Sequence, residues 1–362
     1  MTGTSLDAVD MAVLDTDGET IDGFGPAGER KLTDATRDIL LAATDTARAW
    51  PRGKPEPEIF TKAARAVAEE HLMAGESFLA EHGLRWSDFD LVGIHGQTVL
   101  HERPQSGRVG RTVQLGDAEW LARRIGRPVA FDFRTADVAA GGEGAPLAPI
   151  YHLARLRASG HQAPAAVLNV GGVANITLVS PSEELFAFDT GPGNGMIDLL
   201  VQARGAGRYD QEGQLAAAGR ADPKVLKQLL SHGYFAVPPP KSLDRYDFPL
   251  DPLQELSLQD AAATLTAFTA EAVGRALEHA RAAPSRLIVT GGGRHNPEIM
   301  KALRKRTPVE VLSAEDAGWR GDAIEAEAFA YLAARTSRGL PISFPGTTGV
   351  ARPMAGGRIV GA

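Results

Sequence analysis

Ala165-Ala166-Val167-Leu168-Asn169-Val170-Gly171-Gly172-Val173-Ala174-Asn175-Ile176-Thr177-Leu178-Val179 is the stretch from which the fold is read. Two apolar runs flank a glycine pair, which is a hairpin signal, because glycine accepts the backbone angles of a tight turn without steric cost. A third strand, Leu185 to Phe188, follows and leads into Phe188-Asp189-Thr190-Gly191-Pro192-Gly193-Asn194. A helical half comes next, with a Pro-rich loop at 238–240 and a long helix over Gln259 to Ala283. Leu287 to Thr290 reads as a strand ending in Gly291-Gly292-Gly293, and Ala323 to Arg335 as a last long helix.

The upstream part of the chain has the same order. Val9, Met11 and Val13 alternate with Asp10, Ala12 and Leu14 and predict a strand. Residues 33–50 and 58–82 read as helices, Leu91 to Ile94 as a short strand ending at His95-Gly96, and Val113 to Leu115 and Val129 to Phe133 as further strands. Pro146 to Arg157 reads as a helix with Pro149 near its start. Strands and hairpins followed by helices, given twice, predict an α/β protein of two related lobes. Residues 1–145 are expected to form the first, with 340–362 returning to it, and 146–339 the second. A chain of 362 residues suits two cores better than one, and ligands in such folds are expected between lobes.

Composition removes several classes of function. The net charge is −7 and the sequence pI about 5.8, so the basic face that a nucleic acid needs is not expected. Cysteine is absent, which excludes disulfides, thiolate metal sites and cysteine nucleophiles. The start, Met1-Thr2-Gly3-Thr4-Ser5, lacks the basic and apolar regions of a signal peptide. No run approaches the roughly 20 apolar residues of a spanning helix. The expectation is a cytoplasmic protein with neither membrane nor nucleic-acid partner. The nine histidines show no metal spacing; His95 and His101 lie too far apart on an expected loop.

Five motifs can hold chemistry, and each also has a purely structural reading. Gly3-Thr4-Ser5-Leu6-Asp7-Ala8-Val9-Asp10 offers backbone N–H groups, hydroxyls and carboxylates that can wrap a phosphate and its metal ion, or it is a turn before a strand. Asn169 to Thr177 is either a plain hairpin or one whose Asn169 and Asn175 require partners. Asp189 stands just past a strand in a glycine-proline turn, either as a fixed acid at a loop edge or as the cap of the helix that begins near Met196. Asn194 is better placed for that cap. Gly291-Gly292-Gly293 permits flat contact with a base or phosphate but is weak alone. Residues 94–98, 131–137 and 141–147 put amide, guanidinium and carboxylate groups at strand ends, where Arg134 could fork onto a carboxylate ligand or bridge lobes.

Together these motifs closely resemble the anhydro-N-acetylmuramic acid kinases, members of the acetate kinase, sugar kinase, Hsp70 and actin superfamily. The resemblance spans nearly the whole chain: Gly3 to Asp10, His95 to Thr98, Phe131 to Leu147, Asn169 to Thr177, Phe188 to Asp198, Pro239 to Arg245, Gly291 to Pro297 and Gly318 to Phe329. It implies a two-lobed ribonuclease-H-like (actin-like ATPase) fold with an interlobe cleft. It also implies ATP and Mg²⁺, an anhydrosugar substrate, and a homodimer. By resemblance Gly3, Thr4, Ser5, Leu6, Asp7, Ala8, Val9 and Asp10 form one phosphate loop. Asn169, Gly171, Gly172 and Asn175 form a second, and Gly291, Gly292 and Gly293 the adenosine loop. Asp189 matches the catalytic aspartate, and Gln97, Arg134 and Glu325 the sugar pocket; metal ligands are not assigned.

The implied reaction has Asp189 deprotonate a water that attacks the anomeric carbon of 1,6-anhydro-N-acetylmuramic acid. The C1–O6 bond opens and O6 takes the γ-phosphoryl group of ATP, giving N-acetylmuramic acid 6-phosphate and ADP. Inverting glycoside cleavage normally needs two carboxyl groups. Capture of the leaving oxygen by phosphorus removes the need for the acid, so one indispensable carboxylate is expected. Several positions depart from the family pattern. The chain starts almost at the Gly3 loop, Ala8 stands for the usual Gly, Glu143 for Gln, and Leu243-Asp244 for Thr-Gly, while Lys241, Ser242 and Arg245 are kept. Two other readings compete: a kinase for an ordinary hexose or amino sugar, and a non-catalytic ATP-gated module.

Overall fold

The computed structural model describes residues 1–3, 6–105, 107–243 and 247–361, which divide into two compact units. Unit 1 comprises Met1–Ala158 and Ala323–Ala362, and unit 2 Ser159–Asp322.

Unit 1 opens with the antiparallel pair β1 (Ala8–Thr16) and β2 (Ile21–Lys31). The Asp17 carboxylate closes their turn by accepting from the Glu19 and Thr20 amides at 2.8 and 2.7 Å. Helix α1 (Asp34–Ala49) is capped by Thr33, and α2 (Glu58–His82) ends on Gly83 in the left-handed region, φ 65°. Buried Glu70 of α2 ties these elements together, accepting from Arg30 Nη1 at 2.8 Å and from the Thr33 amide at 3.1 Å. Next come β3 (Val92–Gly93), β4 (Gln97–Glu102), β5 (Arg111–Leu115), α3 (Ala118–Ile125), β6 (Val129–Phe131), α4 (Thr135–Ala139) and α5 (Pro149–Ala158). β4 and β5 form an antiparallel pair, and β3 runs parallel to β6.

Unit 2 is built on one five-stranded sheet. β7 (Ala165–Val170), β8 (Val173–Val179) and β9 (Leu185–Pro192) form an antiparallel meander. Helices α6 (Gly195–Ala203), α7 (Gln214–Ala218), α8 (Pro223–Leu230) and α9 (Leu258–Leu277) lead to β10 (Arg286–Thr290), which lies parallel to β7. Helix α10 (Pro297–Arg306) crosses to β11 (Glu310–Ser313), parallel to β10. The sheet order β11-β10-β7-β8-β9, with three antiparallel strands and then two parallel crossovers, is the ribonuclease-H-like arrangement. Leu168, Ile176, Phe188, Phe268, Leu287 and Leu303 are almost wholly buried in its core, each worth about 1.5–3 kcal/mol of transfer free energy.

The chain then re-enters unit 1 as α11 (Ile324–Ser337), α12 (Pro345–Thr348) and β12 (Arg358–Val360), the last antiparallel to β6. The helices expected at 146–157 and 323–335 thus lie in the first unit, and its limits fall at Ala158 and Ala323 rather than at 145 and 340. The reason is polar as well as apolar packing. Tyr151 of α5 donates to the buried carboxylate of Glu327 on α11, and Arg335 of α11 donates to Gly18 O in the β1–β2 turn at 2.6 Å.

Candidate active site

In unit 2 a row of polar residues crosses four strands. Thr290 on β10 is in register with Asn169 on β7, Asn169 with Asn175 on β8, and Asn175 with Asp189 on β9. Register partners share a face of a sheet, so these four side chains stand side by side. A bulge opposite Ala174 and Asn175 leaves Thr190 as the extra residue, and its hydroxyl bonds to Ala174 O at 3.2 Å.

Asp189 is not beyond the strand, as the sequence suggests, but within β9. The ladder runs on to Pro192 because β8 extends to Val173 and supplies partners past Phe188. The residue is fixed from both ends. Its amide donates to Lys241 O at 3.0 Å, its carbonyl accepts from the Tyr234 hydroxyl, and Oδ2 accepts from the Leu243 amide at 2.7 Å. Lys241 stacks its ammonium 4.4 Å from the Tyr234 ring centre, and burial lowers its pKa. The loop that departs from the family pattern at Leu243 therefore touches Asp189 directly; Asp244 and Arg245 lie outside the described residues.

Asn194 occupies the N-cap position of α6 but its side chain makes no capping bond, a correction to the expected cap. Oriented to satisfy both ends of the amide, Nδ2 donates to Val170 O at 3.2 Å and Gly171 O at 2.8 Å. The Gly171-Gly172 turn is held against the 193–195 turn, with Asn194 N to Gly171 O at 2.9 Å and Gly193 N to Gly172 O at 3.1 Å. The approach is too close for side chains. A Cβ on Gly193 would lie 2.2 Å from Gly171 O, and one on Gly293 2.3 Å from Val170 Cγ1.

The Gly291–Gly293 turn leaves β10 and is pinned by buried Arg294, which donates to Gly291 O at 2.9 Å and to Asp322 Oδ1 at 2.7 Å. Between this turn and α6 is a cavity of ≈ 340 Å³, lined among others by Asp198, Gln202, Tyr209, Asp210, Gly292 and Asn296. Gly292 has open space where a side chain would go. Asn194, Ile197 and Asp198 of this cavity belong to the Phe188–Asp198 motif, whereas Gln202 and residues 208–212 carry none.

Unit 1 gathers the other expected residues. Gly3 accepts from the Leu6 amide at 3.3 Å, and Leu6 has φ 54°, so the chain turns sharply there; Thr4 and Ser5 lie outside the described residues. Ala8, Val9 and Asp10 belong to β1, with Ala8 and Val9 buried, and Asp7 accepts from the Ala8 amide at 2.9 Å. From Ala8 on, the motif is therefore strand rather than loop. Burial pushes the Asp10 carboxyl up to about 6, against the pull of the Met1 ammonium, and Glu325 adds to the rise.

Gln97 opens β4 and is buried, with Oε1 lacking a partner among the described residues, an acceptor left for a ligand or water. Arg134 precedes α4. Its Nε donates to His95 Nε2 at 3.1 Å and Nη1 to Gly144 O at 2.7 Å. Burial lowers Arg134 to about 10, opposed by the carboxylates of Glu325 and Asp137. Glu325, on the first turn of α11, is exposed, yet desolvation by the surrounding protein raises its pKa, with Arg134 pulling the other way. His95 was not singled out as a site residue by the sequence.

The structure therefore brings Asp10, Gln97, Arg134 and Glu325 into one unit. Asn169, Asn175, Asp189 and Gly291–Gly293 are in the other. Among the described residues no group of three or more His, Asp or Glu is placed to cage a metal ion, and no helix is long and apolar enough to cross a membrane.

A family model described as anhydro-N-acetylmuramic acid kinase matches residues 1–362. The anhydro-N-acetylmuramic acid kinase of Caulobacter vibrioides is 73% identical over 361 residues, covering 100% of this chain and 97% of that protein. That of Phenylobacterium zucineum is 72% identical over 360 residues, covering 99% and 98%. That of Mesorhizobium japonicum is 48% identical over 362 residues, covering 100% and 98%. With a family model matching its full length and relatives 72–73% identical along it, this chain belongs to the anhydro-N-acetylmuramic acid kinase family.

Proposed function

We propose that Asp189 is the general base of an ATP-dependent anhydro-N-acetylmuramic acid kinase. The chain opens the 1,6-anhydro ring of 1,6-anhydro-N-acetylmuramic acid with water and transfers the γ-phosphoryl group of ATP to O6. The observation that carries the reading is the row Asn169, Asn175, Asp189 on one sheet face, with the carboxylate held by the Leu243 amide. The water proton passes to Asp189, the water oxygen bonds to C1, and the C1–O6 electrons pass to O6, which attacks phosphorus as ADP leaves. The fixed aspartate contributes a general base already oriented, typically worth ~10²–10⁴ in rate.

Gly172 and Gly292 have open space where a side chain would go, which suits close approach of phosphates and nucleoside to the backbone of their turns. The cavity beside Gly292 is our site for the nucleoside. Residues 3–7 supply the second set of phosphate contacts. Mg²⁺ when bound would neutralise phosphate charge; its ligands would be phosphates, water and one carboxylate, for which Asp10, near the start of β1, is our choice. Gln97, Arg134 and Glu325 bind the sugar, with Arg134 taking the lactyl carboxylate that defines muramic acid. A cytoplasmic homodimer completes the reading, and sedimentation of the purified protein checks the dimer.

The test compares two acceptors with ATP and Mg²⁺. The anhydrosugar should yield the 6-phosphosugar, and ring-opened N-acetylmuramic acid, which already has a 6-hydroxyl, should be a poor acceptor. Equal or better phosphorylation of the open sugar would mean an ordinary hydroxyl kinase.

A further inference from the structure

We propose that His95 is a positioning residue that holds Arg134 in the orientation needed to grip the substrate's lactyl carboxylate, and so sets the preference for muramic over glucosamine anhydrosugars. This rests on the reading of Arg134 given above.

The argument begins with donor chemistry. Arginine Nε–H can only donate, so the 3.1 Å contact from Arg134 Nε requires a lone pair on His95 Nε2. The imidazole is then neutral, with its proton on Nδ1. Its surroundings favour that form. His95 is buried, and burial together with the Arg134 charge holds it well below the ordinary histidine range. Nδ1 has no hydrogen-bond partner among the described residues.

The ring is fixed by packing. It tilts against Phe329 with centroids 4.6 Å apart, and Phe329 in turn meets Phe133, the neighbour of Arg134, at 5.4 Å. Gly96, at φ 71°, leaves no room for a side chain, since a Cβ there would lie 2.7 Å from Leu115 O. The backbone that presents His95 is therefore not easily displaced.

Two of the guanidinium's donors are thus occupied on the protein side, Nε by His95 and Nη1 by Gly144 O at 2.7 Å. A guanidinium anchored at Nε and Nη1 cannot rotate about its stem, and its remaining N–H groups have a fixed direction. That is the condition for selective recognition of a carboxylate, because an unanchored fork loses rotamer entropy on binding.

The experiment measures kcat/KM for 1,6-anhydro-N-acetylmuramic acid and for 1,6-anhydro-N-acetylglucosamine, which lacks the lactyl group, and follows their ratio. Arg134→Ala should collapse the ratio. His95→Leu, which has no acceptor, and His95→Asn, whose shorter side chain does not bring Oδ1 to the place of Nε2, should lower it at least tenfold, chiefly through KM for the muramic substrate. His95→Gln, whose Oε1 can reach the place of Nε2, should restore most of it. The double variant His95→Leu/Arg134→Ala should be no less selective than Arg134→Ala alone. If Arg134→Ala collapses the ratio but His95→Leu and His95→Asn keep it, the positioning role is wrong and the assignment of Arg134 stands. If Arg134→Ala keeps the ratio, the assignment of Arg134 fails and the role of His95 fails with it. A loss shared equally by both substrates in the His95 variants would show a merely structural residue and would likewise overturn the proposal.

Discussion

The Leu243 amide donates to Asp189 Oδ2 at 2.7 Å, so the proposed base is held by a loop 54 residues further along the chain. The Tyr234 hydroxyl holds the same residue through its carbonyl. Backbone and carboxylate are thus anchored independently, which fixes the direction from which a water proton can be taken.

Tyr234→Phe deletes one of these anchors and leaves the ring that stacks under Lys241. A hydrogen bond of this kind is worth about 1 kcal/mol net, so kcat should fall about fivefold with little change in KM for ATP. Steady-state kinetics with varied ATP checks this.

The glycine turns differ in how much space they have. A Cβ on Gly193 meets Gly171 O at 2.2 Å, whereas Gly292 has nothing within 4 Å. Gly193→Ala should force the two turns apart and cost about 1–3 kcal/mol of stability as well as activity. Gly292→Ala should melt like the native protein and lose only affinity for ATP, since it lines the nucleoside cavity. Thermal melts with and without nucleotide separate the two effects.

Asp137 is buried and accepts from Gly144 N and Thr348 Oγ1, both at 2.6 Å. Asp137→Ala leaves these donors without their acceptor, a cost of about 1–3 kcal/mol each, and loosens the segment whose Gly144 carbonyl anchors Arg134. Urea unfolding should show a destabilisation of roughly this size, and KM for the anhydrosugar should rise.

Unit 1 contains histidines kept neutral by burial. His71 is lowered to about 3 and His152 to about 4, in each case chiefly by burial. The unfolded chain takes up these protons below about pH 6.5 while the folded chain does not. Stability is therefore complete above that pH and falls as pH drops toward 4, by up to about 1.4 kcal/mol per pH unit for each histidine. His71→Leu should flatten the slope, as measured by urea unfolding between pH 7 and 4.5.

Much of unit 2 was legible because its strands are apolar runs punctuated by glycine: β7, β8 and β10 follow the expected spans closely. β2 was not, because Gly23, Gly25, Pro26 and Gly28 break up any alternating apolar pattern there. The structure explains Gly25 by close packing, as a Cβ there would lie 2.7 Å from Val13 Cγ1 on β1. The position of Asp189 inside β9, and the turn-binding role of Asn194, depend on cross-strand register, which local pattern does not reveal. The unit limits were missed because polar contacts such as Tyr151 to Glu327 join residues far apart in the chain. The motif residues of the site were readable as types, while the cavity wall at Gln202 and residues 208–212 has no sequence signature.

The central claim is that Asp189 is the single indispensable base. It is tested most directly by the turnover of Asp189→Asn on the anhydrosugar, with ATP affinity measured on the same protein by calorimetry. The account predicts a fall in kcat of ~10²–10⁴ with ATP binding retained. Turnover within a few-fold of the native enzyme would contradict it.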